Sequence, residues 1–314
     1  MKTKLKALSP LLFVCMLGIL AWNGPAVSED GAEEPEFSRR GADTCIGCHE
    51  EPEILSIFRT PHGQTADPNS PMANLQCEAC HGAGDAHAGR VRRGQERPPI
   101  TNFGRDVAHT PIEEQNAICS NCHTGEPGPG WHGSAHDNEA LSCADCHQSH
   151  AAQDPATVRA QQSDVCYACH ATEQAATFKA SNHPIRENKM GCTSCHDPHV
   201  SEADASLVRD TVNQVCYECH AETRGPFLWE HAPVVEDCTS CHNPHGSNHP
   251  VLLTRRPPQL CQQCHSQAGH PSVGFTDDGL ANNNPSAFVL GSSCMNCHPM
   301  IHGTNHPSGA VLAR

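Results

Sequence analysis

The sequence predicts a mostly irregular chain with short α-helices, arranged as an elongated linear stack of five similar modules with little or no β-sheet. Three observations carry this expectation. Cys-x-x-Cys-His recurs ten times, with first cysteines at Cys45, Cys77, Cys119, Cys143, Cys166, Cys192, Cys216, Cys238, Cys261 and Cys294. Taken in pairs, the motifs repeat a larger unit of CxxCH, a gap with a histidine, a second CxxCH and a further histidine, the pattern of a stacked repeat. The composition does not support one large side-chain core: apolar residues make up 37%, aromatic ones 4%, and there are 24 glycines and 25 prolines.

The chain begins "MKTKLKALSPLLFVCMLGILAWNGPAVSED", with three lysines before an apolar run and Gly24, Ala26 and Ser28 after it. This predicts a cleaved signal peptide over 1–28, followed by an acidic linker over 29–40. The apolar run falls short of the roughly 20 residues of a membrane span, and no later segment replaces it, so no direct lipid-spanning segment is expected. Cys15 lies mid-run, without the small residues that precede a lipidated cysteine. Export places the chain in the periplasm, and the basic stretch "RVRRGQERPP" is then no argument for nucleic acid. Its arginines either pair with acidic groups of a cofactor or face solvent, the second reading being preferred. The formal charge of −15 favours solubility over adhesion to anionic membrane surfaces.

In an oxidising compartment, disulfides are the first explanation to test for so many cysteines. They give no reason for a histidine after every second cysteine, and neither does a zinc ribbon. A thioredoxin-like motif expects one CxxC in a βαβ context, which is absent. Covalent haem attachment explains all three positions: two thiols add to vinyl groups and the next imidazole binds iron. The attachment residues are then Cys45 and Cys48, Cys77 and Cys80, Cys119 and Cys122, Cys143 and Cys146, Cys166 and Cys169, Cys192 and Cys195, Cys216 and Cys219, Cys238 and Cys241, Cys261 and Cys264, and Cys294 and Cys297. The proximal ligands are His49, His81, His123, His147, His170, His196, His220, His242, His265 and His298, giving ten covalently attached haem c groups.

Each iron has a second axial position, and fourteen histidines remain to fill ten such positions. The second to fourth modules offer His136 and His150, His183 and His199, and His231 and His245. The first offers His62 and His87, and the fifth His270 with His302 or His306, repeat alignment favouring His302. His109, His132 and His249 read as solvated or capping residues. Which imidazole serves which haem stays open, because a ligand from one module can serve its neighbour. With every site closed by two histidines, no iron is left for substrate, which favours electron transfer over catalysis. The electron-transfer domain then covers 41–314, with dihaem modules at about 41–88, 115–151, 162–200, 212–247 and 257–308. Attached haems replace the missing core, so the chain without them is expected to be largely unfolded.

The segments "CEACHGAGDAH", "CADCHQSH", "CYECHAETRGPFLWEHAPVVEDCTSCHNPHGS", "PQLCQQCH" and "IHGTNHPSG" resemble the MtrA/DmsE family of periplasmic decahaem c-type cytochromes, over about Gly41 to Arg314. The resemblance implies a wire threaded inside a large porin-like outer-membrane β-barrel. It further implies partners in an extracellular multihaem cytochrome and in periplasmic or inner-membrane cytochromes, and a role in extracellular electron transfer for iron reduction or oxidation. The alternative is a soluble periplasmic shuttle to a terminal reductase, such as one for dimethyl sulfoxide.

Overall fold

The computed structural model describes residues 35–105, 110–125, 128–200, 204–265, 294–296, 298–307 and 309. The expected signal peptide, Cys15, His109, His270, Cys297 and most of the expected linker lie outside these residues. Met1–Pro35 is a unit apart, and Glu36–Arg314 is the body described below.

Short helices joined by turns make up this body. The longest are Ile112–Ser120 and Arg159–Tyr167, each of nine residues. Pairing between extended segments is limited, among the described residues, to isolated bridges such as Ser181 with Ser247 and Trp229 with Thr304. The expected fold class, short helices in irregular chain without a sheet, is what the described residues show.

The repeat is visible in the backbone. The first motif of each module sits at the C-terminal end of an α-helix: Ala42–Cys45, Ile112–Ser120, Arg159–Tyr167, Val212–Tyr217 and Pro257–Cys261. The second motif opens on a 3-10 turn in four modules, at Cys143–Asp145, Cys192–Ser194, Cys238–Ser240 and Cys294–Asn296. In the first module it lies in the helical turn Glu78–His81.

A buried amide one turn before the first motif ties the two together. Asn116 accepts from the Cys143 N–H at 2.9 Å and donates to the Leu141 carbonyl at 3.0 Å. Asn213 repeats this with the Cys238 N–H at 2.8 Å and the Val234 carbonyl at 2.9 Å. Gln162 does the same work through the Thr193 N–H at 3.2 Å and the Ala156 carbonyl at 3.0 Å. Buried backbone groups need such partners because leaving them unpaired is costly.

The interior is otherwise sparse. Among the described residues the buried apolar side chains are Ala42, Met72, Ala176, Val215 and Leu253, while the most completely buried side chains are Gln115, Thr304, Ser134 and Ser142. A scaffold with so little aliphatic packing of its own turns apolar side chains such as Ile118, Val165 and Leu260 toward a continuous cavity of about 4580 Å³, several times the roughly 300–1,000 Å³ of an ordinary small-molecule pocket.

Asn213→Ala is expected to lose about 2 kcal/mol of stability, because the partly buried Cys238 N–H and Val234 carbonyl each lose a partner, at the lower end of roughly 1–3 kcal/mol per group. Denaturant unfolding of the native protein, followed by circular dichroism, measures this.

Candidate functional site

Each motif folds as one helical turn closed on its own first cysteine. The histidine N–H donates to the carbonyl of that cysteine at 2.9–3.0 Å in all ten motifs. The second cysteine N–H shares the same acceptor at 3.1–3.3 Å in the nine motifs where it is described. The turn holds two sulfurs and an imidazole close together around one position, and all the described motif cysteines line the cavity. None of them forms a disulfide.

Opposite nine of the motif histidines stands a second imidazole. His49 faces His87, His81 faces His150, His123 faces His62, and His147 faces His199. His170 faces His136, His196 faces His245, and His220 faces His183. His242 faces His302, and His265 faces His231. Ring centres are 5.9–6.5 Å apart throughout. A metal ion bound from both sides at about 2.0 Å, with about 1.1 Å from each nitrogen to its ring centre, needs roughly 6.2 Å. The rings come in twos: no three His, Cys, Asp or Glu side chains converge to hold a metal among the described residues. At the fifth module it is His302, not His306, that stands opposite His242. His132 lies at the surface, 3.9 Å from Asp137.

The pairing follows a rule. Numbering the motifs 1 to 10 along the chain, the facing imidazole at motifs 2 to 9 comes from the adjacent module, and each junction exchanges two. Between the first and second modules, His62 crosses to motif 3 and His150 to motif 2. His136 and His199, His183 and His245, and His231 and His302 do the same at the next three junctions. Motif 1 faces His87 of its own module.

Exchanged imidazoles are held by each other's backbone. Nδ1 of His183 lies 2.8 Å from the Pro244 carbonyl, just before His245, and Nδ1 of His231 lies 3.1 Å from the Ile301 carbonyl, just before His302. His136 meets the Pro198 carbonyl, before His199, at 3.1 Å. Gly246 follows His245 where a side chain is impossible, since a Cβ there would lie 2.1 Å from the Ala176 carbonyl. Burial lowers the proton affinity of His62, His150, His199, His245 and His302, which keeps their lone pairs available. His87 is fixed through the basic connector: Arg97 donates to the His87 and Gly89 carbonyls at 2.6 and 2.9 Å. The connector's arginines face solvent, as the preferred reading expects, and Arg97 adds this anchoring from the surface.

Sulfurs of successive motifs are also neighbours. Within modules the first cysteines adjoin, Cys45 with Cys77, Cys119 with Cys143, Cys166 with Cys192, Cys216 with Cys238, and Cys261 with Cys294. Between modules the second cysteines approach, Cys80 with Cys122, Cys146 with Cys169, Cys195 with Cys219, and Cys241 with Cys264. The indole N–H of Trp131, in the cavity wall beside His199, is buried without a protein acceptor, as expected where a bound group supplies one.

A family model for the doubled CXXCH motif matches residues 182–225 and 231–270. One for cytochrome c-type NrfB-like proteins matches 77–160, and one for cytochrome c554 and c-prime matches 25–82. Multiheme cytochrome MtrA from Shewanella baltica (strain OS185) is 45% identical over 284 residues, covering 90% of this chain and 84% of the relative. The chain belongs to the MtrA family of multihaem cytochromes. As in other c-type cytochromes, its CxxCH motifs hold covalently bound haem c, and the protein transfers electrons rather than catalysing a reaction on a substrate. Bound haem supplies the one-electron iron couple; this MtrA-family chain supplies the sulfurs, imidazoles and enclosure.

Sequence reasoning named both sets of histidines but not what fixes them. The amide clamps have a signal in hindsight, an Asn or Gln one turn before the motif in "QNAIC", "QQSDVC" and "VNQVC". Backbone acceptors have none. His196 and His242 point Nδ1 at the carbonyls of Ala205 and Val251, at 2.9 and 2.8 Å. Those two residues adopt φ of 53° and 50°, a left-handed conformation that is strained for a β-branched side chain.

Val251 is 66% exposed, so Val251→Gly removes the strain with little loss of packing. It is expected to stabilise the protein by about 1 kcal/mol, read from the denaturation midpoint.

Proposed function

We propose that this cytochrome is a decahaem conduit that carries electrons between periplasmic carriers and the cell exterior, enclosed by a large outer-membrane β-barrel. The observation that carries the reading is the unbroken succession of sulfur neighbours from motif 1 to motif 10. Each sulfur is an attachment point for a porphyrin edge, so haems on these sulfurs follow one another in chain order. Tunnelling falls exponentially with edge-to-edge distance, and such a file conducts where separated haems do not.

The facing imidazoles are, in this reading, the axial pairs. His87, His150, His62, His199, His136, His245, His183, His302 and His231 complete haems 1 to 9 in that order, and His270 belongs to haem 10. Closure of both axial positions suits conduction, since electrons enter and leave with little change in coordination. Among the described residues no helix is long and apolar enough to cross a membrane. A polar, irregular backbone reaches membrane depth only when enclosed by protein, and outer-membrane barrels of up to 26 strands and beyond provide that enclosure. The charge of −15 fits an aqueous lumen. Partners on either side are multihaem cytochromes, with which electrons are exchanged in whichever direction the potentials dictate.

Ring angles make the ligand pairs testable. Perpendicular imidazoles leave the iron dπ orbitals nearly degenerate and give strongly anisotropic low-spin signals, whereas near-parallel ones split them. Three pairs are near-perpendicular, at 81–83°, and five near-parallel, at 14–27°. Electron paramagnetic resonance of the oxidised protein is expected to show both classes with no high-spin haem, and His245→Met is expected to convert one near-parallel signal. A substantial high-spin fraction in the unaltered protein contradicts the axial pairs.

Enclosure is tested by gentle detergent purification from membranes. Co-purification with a β-barrel at one-to-one stoichiometry is expected; a purely soluble periplasmic pool without a barrel supports a shuttle instead.

A further inference from the structure

Among the proximal histidines with a described Nδ1 partner, one differs in kind. At motifs 2, 6 and 8, Nδ1 of His81, His196 and His242 faces a neutral backbone carbonyl, at 2.8, 2.9 and 2.8 Å. At motif 4, Nδ1 of His147 lies 2.5 Å from Oδ2 of Asp154. Carboxylates near His170 and His220 stand off at 3.9 and 3.5 Å, on more exposed side chains.

Asp154 is built into place. Its Oδ1 accepts from the N–H groups of Gln148 and Ala156, both at 3.2 Å, leaving Oδ2 aimed at the imidazole. Among the described residues it forms no ion pair with lysine or arginine, so its charge is not offset. Asp145, the other acid of this motif, is paired with Arg105 at 2.8 Å.

The facing imidazole repeats the theme. Nδ1 of His199 lies 3.3 Å from Oδ1 of Asp197, and the equivalent residue before His245 is Asn243. Both hold the same local turn, the His199 N–H on Asp197 at 3.0 Å and the His245 N–H on Asn243 at 3.1 Å. The turn therefore does not need the charge.

We propose that Asp154, assisted by Asp197, is a positioning residue that sets the haem on Cys143 and Cys146 at a more negative potential than its counterparts on Cys192 and Cys238. A carboxylate accepting from Nδ1 gives the imidazole imidazolate character and makes it a stronger donor, which favours the ferric state. The step remains one electron added to ferric iron to give ferrous iron, with no bond broken and the proton retained between Nδ1 and Oδ2. Haem 4 then forms a rise in the energy profile for an electron moving along the file. This inference rests on the axial pairing of His147 with His199.

The test is a potentiometric titration of the full-length holoprotein, followed optically and by paramagnetic resonance, for the unaltered chain, Asp154→Asn, Asp154→Glu, Asp197→Asn and His199→Met. Asp154→Asn keeps an acceptor for the two backbone N–H groups and is expected to move one one-electron component positive. The expected change in its oxidised-to-reduced ratio is at least tenfold, equivalent to about 59 mV for one electron. Asp154→Glu restores the original position, and Asp197→Asn, which copies Asn243, shifts the same component by less. Superimposable titrations for Asp154→Asn and Asp197→Asn overturn the proposal. If His199→Met still converts a low-spin signal, the ligand pairing survives that failure; if it leaves every signal intact, the pairing itself fails. Should Asp154→Asn not assemble, Asp197→Asn alone decides.

Discussion

Two imidazoles held 5.9–6.5 Å apart are the constraint on which the rest of this molecule depends. A module could in principle supply both rings from its own chain, as the first does with His49 and His87. The junctions instead exchange them, so that motifs 2 to 9 each face an imidazole of the adjacent module. Stability in stacked repeats is largely a matter of nearest-neighbour interfaces. Here the interface contains reciprocal ring pairs, backed by carbonyls such as Pro244 and Ile301 that hold one exchanged ring from beside the other. An internal module taken alone has its sulfurs and half of its imidazoles, and loses the other half with its neighbours.

This arrangement explains how an interior with so little apolar packing of its own holds together. Among the described residues, five buried apolar side chains cannot offset the ordering of so many residues, at roughly 1–2 kcal/mol per residue of backbone entropy. The polypeptide acts as a frame around the covalently held haem. Its buried side chains are mostly short and polar because their task is to fix backbone around the motifs, as Asn116 and Asn213 do, rather than to fill space. Thioether attachment keeps the cofactor from leaving, which makes a frame with so little core of its own workable.

The sequence disclosed most of the fold class because haem attachment is written in a local code. Five consecutive residues specify a turn, two sulfurs and an imidazole, and ten repetitions leave little room for other readings. The facing histidines were legible as a supply, His136, His183 and His231 before the second motifs and His150, His199 and His245 after them. Their destinations were not, because crossing to the adjacent module depends on how modules stack, and no residue spacing encodes that. The carbonyls of Ala205 and Val251 were invisible for a related reason: every residue has a carbonyl, and only a left-handed turn aims these two at His196 and His242.

The carboxylate at His147 shows where such a repeat is free to vary. Attachment and ring pairing tolerate little change, since each module completes its neighbours. The Nδ1 partner of a proximal histidine carries no such obligation. A carbonyl from a strained turn and a carboxylate held by two amides both orient the ring, and they differ in charge, to which an iron couple is sensitive. A file of haems with identical coordination can thereby acquire an uneven energy profile without disturbing its geometry. In the proposed conduit, haems in close succession would tolerate that unevenness because short distances keep each transfer fast, so individual sites could be set apart from their neighbours while the whole still conducts.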